Sequence, residues 1–258
     1  MTDNPFMLNP DLPGDDFAFT HSEPAQKRAS TGVLLLHGFT ATTAEVRPLA
    51  EILHQAGLTT VAPLLPGHGT HPDDLNRIQW PMWVEKTKQS YESISRQCDR
   101  VFVAGESMGG LVALELARQH PEIAGLFLFA PAIKIDGLWL AHIMWPFIKY
   151  LKKAPKKEDL PWKGYNVYPV KAARELHELQ KHVRRYLPDI TNPVVVFTGE
   201  FDQRVSSDTA NILLNRIGSQ NKHHRHMTES GHCIVLDREL DQVVTHLLAF
   251  IEQGFSIQ

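Results

Sequence analysis

Gly105, Ser107 and Gly109 interrupt the chain between an apolar run at residues 101–104 and a helix-forming stretch at residues 111–119. The Gly-x-Ser-x-Gly spacing alone is a weak signal. Its flanks make it specific, because a strand that stops at the motif and a helix that starts at once form a sharp turn that lifts a serine hydroxyl above a sheet edge. The glycines keep side chains out of a crowded turn whose strained backbone tolerates no bulky Cβ nearby. The serine also stands at a helix N-terminus, where unpaired N–H groups and the positive dipole end favour developing negative charge. The chemistry implied is nucleophilic attack by Ser107 on an acyl carbon. The bland alternative is a Gly-rich connector, and the flanking order weighs against it.

A serine hydroxyl at neutral pH needs a base to take its proton, and the base needs a carboxylate to hold its tautomer. In a strand–elbow–helix arrangement the chain order is serine, acid, histidine, so both partners should follow residue 107. Asp202 is the candidate acid. It follows the apolar run at residues 194–198 through Gly199-Glu200-Phe201, at what should be the carboxyl end of a strand. Glu200 and Asp208 are its competitors, although Asp208 precedes a helical pattern at Ala210 and reads as a helix N-terminal residue. His232 is the candidate base, in Glu229-Ser230-Gly231-His232 between the last expected strand and the final helix. His223, His224 and His226 read as half-exposed strand residues, and His246 lies within a helix. No carboxylate or cysteine spacing turns these histidines into a metal site.

Acyl transfer also needs two backbone N–H groups aimed at the oxyanion of the tetrahedral intermediate. One is expected from Met108, directly after the serine. The other is expected from Phe39, in the His37-Gly38-Phe39 loop after an early strand. His37 is expected to anchor that loop by hydrogen bonding.

Residues so far apart must be carried by a regular scaffold. Apolar runs at residues 32–36, 59–63, 101–104, 125–130 and 194–198 read as strands, joined by a last strand at 223–227 and an edge strand at 17–19. Helical periodicity falls between them. Thr42-Thr43-Ala44-Glu45 reads as a capping box that opens a helix closed by Gly57, and further helices are expected at 80–97, 210–217 and 240–251. This alternation predicts an α/β fold with a mainly parallel sheet covered on both faces. Residues 132–190 break the rhythm and carry prolines in place of a core strand. They are expected to form a helical cap over the carboxyl ends of the strands, with residues 1–131 and 191–258 as the core. The alternative is a peripheral elaboration that never meets substrate.

The 258 residues are 43% hydrophobic and 21% charged, an ordinary globular balance for one large domain. A net charge of -3 offers no basic surface, so nucleic acid is not an expected partner. Two cysteines, Cys98 and Cys233, make no disulfide framework, and the N-terminal residues lack a signal-peptide pattern. A cytoplasmic setting is expected.

Taken together, His37-Gly38-Phe39-Thr40, Pro66-Gly67-His68-Gly69, Gly105-Glu106-Ser107-Met108-Gly109-Gly110, Asp202 and Ser230-Gly231-His232 resemble the α/β-hydrolase superfamily. More narrowly, the chain resembles the small bacterial carboxylesterases and monoacylglycerol lipases over residues 32–258. The resemblance implies an α/β-hydrolase fold with a helical cap and no metal or organic cofactor. It implies a small-molecule ester substrate, with Ser107, Asp202 and His232 as nucleophile, acid and base and with Phe39 and Met108 as oxyanion donors. A thioesterase, acyltransferase, peptidase or carbon–carbon bond hydrolase would use the same residues. A ligand-binding protein that retains the elbow is a third reading, and the complete set of triad candidates argues against it. The cap departs from the family pattern. Residues 138–147 are unusually apolar, and Lys149, Lys152, Lys153, Lys156 and Lys157 follow. Such a segment can rest on anionic lipid. The order of apolar and then charged residues favours instead a helix packed over an acyl pocket.

Overall fold

The computed structural model describes residues 4–21, 31–153 and 160–253, so Lys156 and Lys157 lie outside it. Two short strands, β1 (Met7–Leu8) and β2 (Phe17–Phe19), open the chain. Then follow β3 (Thr31–Leu36), α1 (Arg47–Gln55), β4 (Thr59–Ala62), α2 (Pro72–Arg77), α3 (Trp80–Ser95), β5 (Arg100–Glu106), α4 (Met108–Gln119) and β6 (Gly125–Phe129). Next come α5 (Ala141–Met144), β7 (Tyr150–Lys152), β8 (Gly164–Tyr165), β9 (Val167–Pro169) and the long α6 (Val170–Tyr186). β10 (Val194–Gly199), α7 (Thr209–Arg216), β11 (Lys222–Met227) and α8 (Leu240–Gln253) complete the order.

Seven strands form the central sheet in the order β11-β10-β6-β5-β3-β4-β2. Only β2, paired with β4, runs antiparallel to its neighbour. The continuous apolar runs become its middle: every residue of β3 and β6 is buried, as is β5 beyond Arg100. A strand covered on both faces has no solvent side to fill with alternate polar residues, which is why these segments do not alternate. β11 does alternate, and its lysine, arginine and histidines fit a strand at the sheet's edge. The chain passes from β3 to β4 on one side and returns to β5 on the other. That reversal opens a crevice at the carboxyl ends of the strands, and Ser107 follows β5 at that point.

Two local expectations are corrected. Thr42 and Glu45 form no capping box: Thr43–Glu45 is a single 3-10 turn whose Thr42 makes no side-chain cap bond. The Thr42 hydroxyl donates instead to Lys163 O at 3.2 Å, and Glu45 serves another purpose described below. Helix α1 starts at Arg47, with Pro48 in its first turn. Residues 132–190 are not purely helical either. β7 pairs with β9, and β8 pairs with β1 from the start of the chain, all antiparallel. Strands of two or three residues are too short to leave a readable period. The amphipathic α6 is the main element of this segment and packs against α4. Among the described residues, no helix is long and apolar enough to cross a membrane.

Candidate active site

The turn after β5 shows why its residues are glycines. A Cβ on Gly109 would lie 2.2 Å from Leu36 O, and one on Gly105 would lie 2.4 Å from the backbone of Gly109. Neither obstacle is a side chain that can move aside. Between them Ser107 takes φ 53° and ψ -110°, a strained conformation for a residue with a Cβ. The backbone around it is fixed: Ser107 N–H donates to Phe129 O at 2.8 Å, and Ser107 O accepts from Gly110 and Ala132 N–H at 3.1 and 3.0 Å. The hydroxyl therefore stands in one place at the start of α4.

His232 Nε2 lies 2.9 Å from Ser107 Oγ, and His232 Nδ1 lies 2.8 Å from Asp202 Oδ2. The other Asp202 oxygen accepts from the N–H groups of Arg204 and Val205 at 2.7 and 3.2 Å. Burial alone would raise the Asp202 pKa. The hydrogen bond and charge of His232, with the two amides, hold it below the ordinary carboxylate value instead. Asp202 is buried while His232 stays one-fifth exposed, so the histidine is the member that solvent can reach. The competing acids are occupied elsewhere: Glu200 contacts His226 at 2.7 Å, and Asp208 pairs with Lys134 at 3.0 Å. Of the other late histidines, His223 contacts Asn221 and His224 contacts Thr198, both on the β11 side of the sheet, and His246 sits near the Phe197 ring.

The acid loop and the histidine loop are joined to each other. Phe201 N–H donates to Ser230 O at 3.0 Å, and a Cβ on Gly199 would lie 2.2 Å from Gly231 O. Two carboxylates to which the sequence assigns no role, Asp237 and Glu239, hold the histidine loop from behind. Glu239 accepts from the N–H groups of Thr228 and Glu229 and from the Ser230 hydroxyl, and Asp237 accepts from Gly231 N–H at 2.7 Å. Both precede α8 and look like ordinary helix N-terminal acids, so only their contacts reveal the role.

The loop after β3 is set by three buried groups. His37 Nε2 accepts from Leu65 N–H at 3.0 Å and Nδ1 faces Gly38 O at 2.9 Å, which fixes the proton on Nδ1. Burial lowers the His37 pKa to about 4, so the ring is neutral. Glu45, hidden within the apparent capping box, accepts from Gly38 N–H at 2.5 Å and Trp162 Nε1 at 3.1 Å, with the Cys233 thiol 3.8 Å away. One carboxylate thus ties the β3 loop to residues 132–190 and to the residue after His232. Glu106 is buried nearby. Burial, reinforced by Glu45, pushes its carboxyl well above the ordinary value and favours the neutral acid. The hydrogen bonds of the described residues give no protein acceptor to the amides of Phe39 and Met108. The Met108 side chain is fully buried, whereas the Phe39 ring is half-buried and meets His68 and Trp83 edge-on.

Residues 132–190 grip this site. Tyr165 N–H donates to Thr40 O at 2.8 Å, Lys153 reaches the Thr40 hydroxyl, and Gln180 Nε2 donates to Ala132 O at 2.7 Å beside the elbow. The open groove of about 450 Å³ between Trp145, Phe147, Lys149, Arg77 and Lys171 shares no residue with Ser107, Asp202 or His232. Its lining holds no serine, cysteine or histidine, so it is not the place of the Ser107–His232 contact. Ser107, His232 and Asp202 stand in one hydrogen-bonded series. Among the described residues the one cluster of three metal-competent side chains lies away from them, on α5 and α6.

A family described as "Serine aminopeptidase, S33" matches residues 27–239. A thermostable monoacylglycerol lipase of Bacillus sp. strain H-257 is 31% identical over 223 residues, which covers 85% of this chain and 89% of that protein. A carboxylesterase of Bacillus subtilis strain 168 is 30% identical over 232 residues, covering 88% of this chain and 94% of that one. Among solved structures, one from the work on LipS and LipT, two metagenome-derived lipolytic enzymes, superposes with a TM-score of 0.86 at 27% identity. It covers 94% of this chain and 99% of its own.

Proposed function

The chain belongs to the serine aminopeptidase S33 family of α/β-hydrolases, and from that premise we propose that it hydrolyses short- to medium-chain carboxylic esters or monoacylglycerols through an acyl-enzyme on Ser107. The observation that carries this reading is the unbroken series of contacts from Asp202 through His232 to the Ser107 hydroxyl. Ser107 Oγ attacks the acyl carbon as His232 Nε2 takes its proton. The bond to the alcohol oxygen then breaks as His232 returns that proton to the leaving group. Water gives a proton to His232 and attacks the acyl carbon; the acyl–Oγ bond then breaks as His232 returns that proton to Ser107 Oγ, and the acid leaves. Asp202 keeps the histidine proton on Nδ1 and stabilises the imidazolium. The amides of Phe39 and Met108 receive the oxyanion, and loss of one such donor costs about 3 kcal/mol.

Residues 132–190 serve as the cap, and residues 1–131 with 191–258 as the hydrolase core. The contacts of Trp162, Lys153 and Tyr165 with the β3 loop support this division. The exposure of Trp139, Leu140, Ile143, Trp145 and Phe147 favours a cap edge that meets aggregated substrate or a lipid surface over one folded onto an acyl pocket. Lys149 is paired with Asp73 and Lys153 turns toward Thr40, so that contact is more apolar than electrostatic. Cys98 and Cys233 are buried thiols outside any disulfide, which supports a reducing compartment such as the cytoplasm.

A side-by-side assay of p-nitrophenyl esters of increasing length, monoacylglycerols, a thioester and an amide tests the assignment. The largest kcat/KM is expected for a short- or medium-chain ester or a monoacylglycerol. A thioester or amide turned over faster would replace the proposal with another acyl-transfer reaction.

A further inference from the structure

The ester chemistry makes no use of the side chains gathered where α5 meets α6. There His142, His177 and Glu178 bring three ligand atoms within 4.8 Å of one another. His142 Nε2 lies 2.9 Å from His177 Nδ1 and 3.3 Å from Glu178 Oε1. We propose that these three side chains form a binding site for a divalent cation of the zinc class, which clasps α5 to α6.

The chemistry of the donors points to that class. Two imidazoles and one carboxylate suit zinc and its neighbours, and three protein ligands leave a fourth position for water. The spacing agrees. Two ligands bound at about 2.0–2.1 Å to a tetrahedral zinc lie about 3.3–3.4 Å apart. The His142–Glu178 separation already has that value, and the two imidazoles need to part by only about 0.4 Å. Nε2 of His142 faces a ring nitrogen and a carboxylate oxygen at once, the arrangement of ligand atoms around a shared cation. One cation satisfies all three atoms. His142 and Glu178 are each 32% exposed, so an ion can arrive from solvent and keep a water ligand. Lys181 contacts both Glu178 oxygens at 3.1–3.2 Å and is the group the ion must displace.

The place of the cluster gives it a consequence. α6 is anchored in the body of the protein, by Gln180 to Ala132 and by His182 to Glu115. α5 leads directly into the exposed apolar segment at Trp145 and Phe147. A bound ion joins the second to the first and restrains the outer part of residues 132–190.

The test is calorimetric titration of the chelator-stripped full chain with zinc chloride, alongside the double variant His142→Ala/His177→Ala. Wild type should take up one equivalent with a rise in melting temperature. The double variant should lose about a hundredfold in affinity, the upper end of what even outer-shell changes cost, and show no such rise. No saturable uptake by wild type up to about 100 µM zinc, weaker than any structural site, overturns the proposal, as does equal uptake by the variant. If the variant does not fold, diethyl pyrocarbonate footprinting of wild type decides. Zinc should protect His142 and His177 and leave the exposed His224 reactive, and failure to protect the pair overturns the site.

Discussion

The catalytic edge of the sheet and the segment at residues 132–190 are built on opposite terms. The strands of the edge hide their apolar residues: β3, β5 beyond Arg100, β6 and the first four residues of β10 sit in the core, and the loops that leave them are bonded to one another. The segment leaves Trp139, Ile143 and Trp145 in water, and Phe147 is 85% exposed. The difference fits the roles proposed for the two parts. Proton transfer from a serine to a histidine needs heavy atoms held near 2.9 Å, which only close-packed, fully bonded loops maintain. A surface that meets apolar substrate needs unsatisfied apolar area, and packing would remove it.

The largest test of this contrast is at the edge. Ser107→Ala should lower kcat on a short p-nitrophenyl ester by about a millionfold and abolish labelling by a fluorophosphonate. Turnover near that of wild type would mean that the buried edge is scaffold and the chemistry lies elsewhere.

The next effect is one of stability and pH. The unfolded chain protonates His37 near its ordinary value of 6.5, whereas the folded chain resists until about pH 4. Between those values the unfolded state binds more protons, so stability present at pH 7 is lost as the pH falls. The full loss from this one group is about 3 kcal/mol. Urea unfolding at pH 7 and pH 4.5 should show that decline in wild type and a clearly smaller one in His37→Gln. Parallel declines would show that the β3 loop does not hold a neutral imidazole.

The smallest effect belongs to the other region. Phe147→Ser should change unfolding free energy by less than about 0.5 kcal/mol, as for surface positions in general. The same variant should raise KM for dispersed monoacylglycerol and leave a soluble short ester unaffected. A stability loss of several kcal/mol would show that the segment is packed like the edge and would dissolve the contrast.

The parts of the molecule that could be read from the chain are those where local order and physics coincide. A run such as Val33–Leu36, bounded by polar residues and followed by helical spacing, has few ways to hide itself other than as a central parallel strand. Gly105, Ser107 and Gly109 announce a tight turn because backbone, not side chain, crowds them. Glu45 was not legible. Its spacing from Thr42 satisfies a helix-capping pattern, yet its three partners come from residues 38, 162 and 233. The pairing of β1 with β8 and the meeting of His142 with His177 were hidden for the same reason.

The sequence by itself determined the α/β alternation and the elbow, and it narrowed the acid to Asp202, Glu200 or Asp208, since each depends on neighbours within a few positions. Tertiary structure alone decided which carboxylate His232 meets, how Glu45, Asp237 and Glu239 brace the loops, and which apolar side chains of residues 132–190 stay in water. His232 meets Asp202 across 30 residues and Glu45 meets Cys233 across 188, and no local pattern encodes a distance that loop closure and packing must set together.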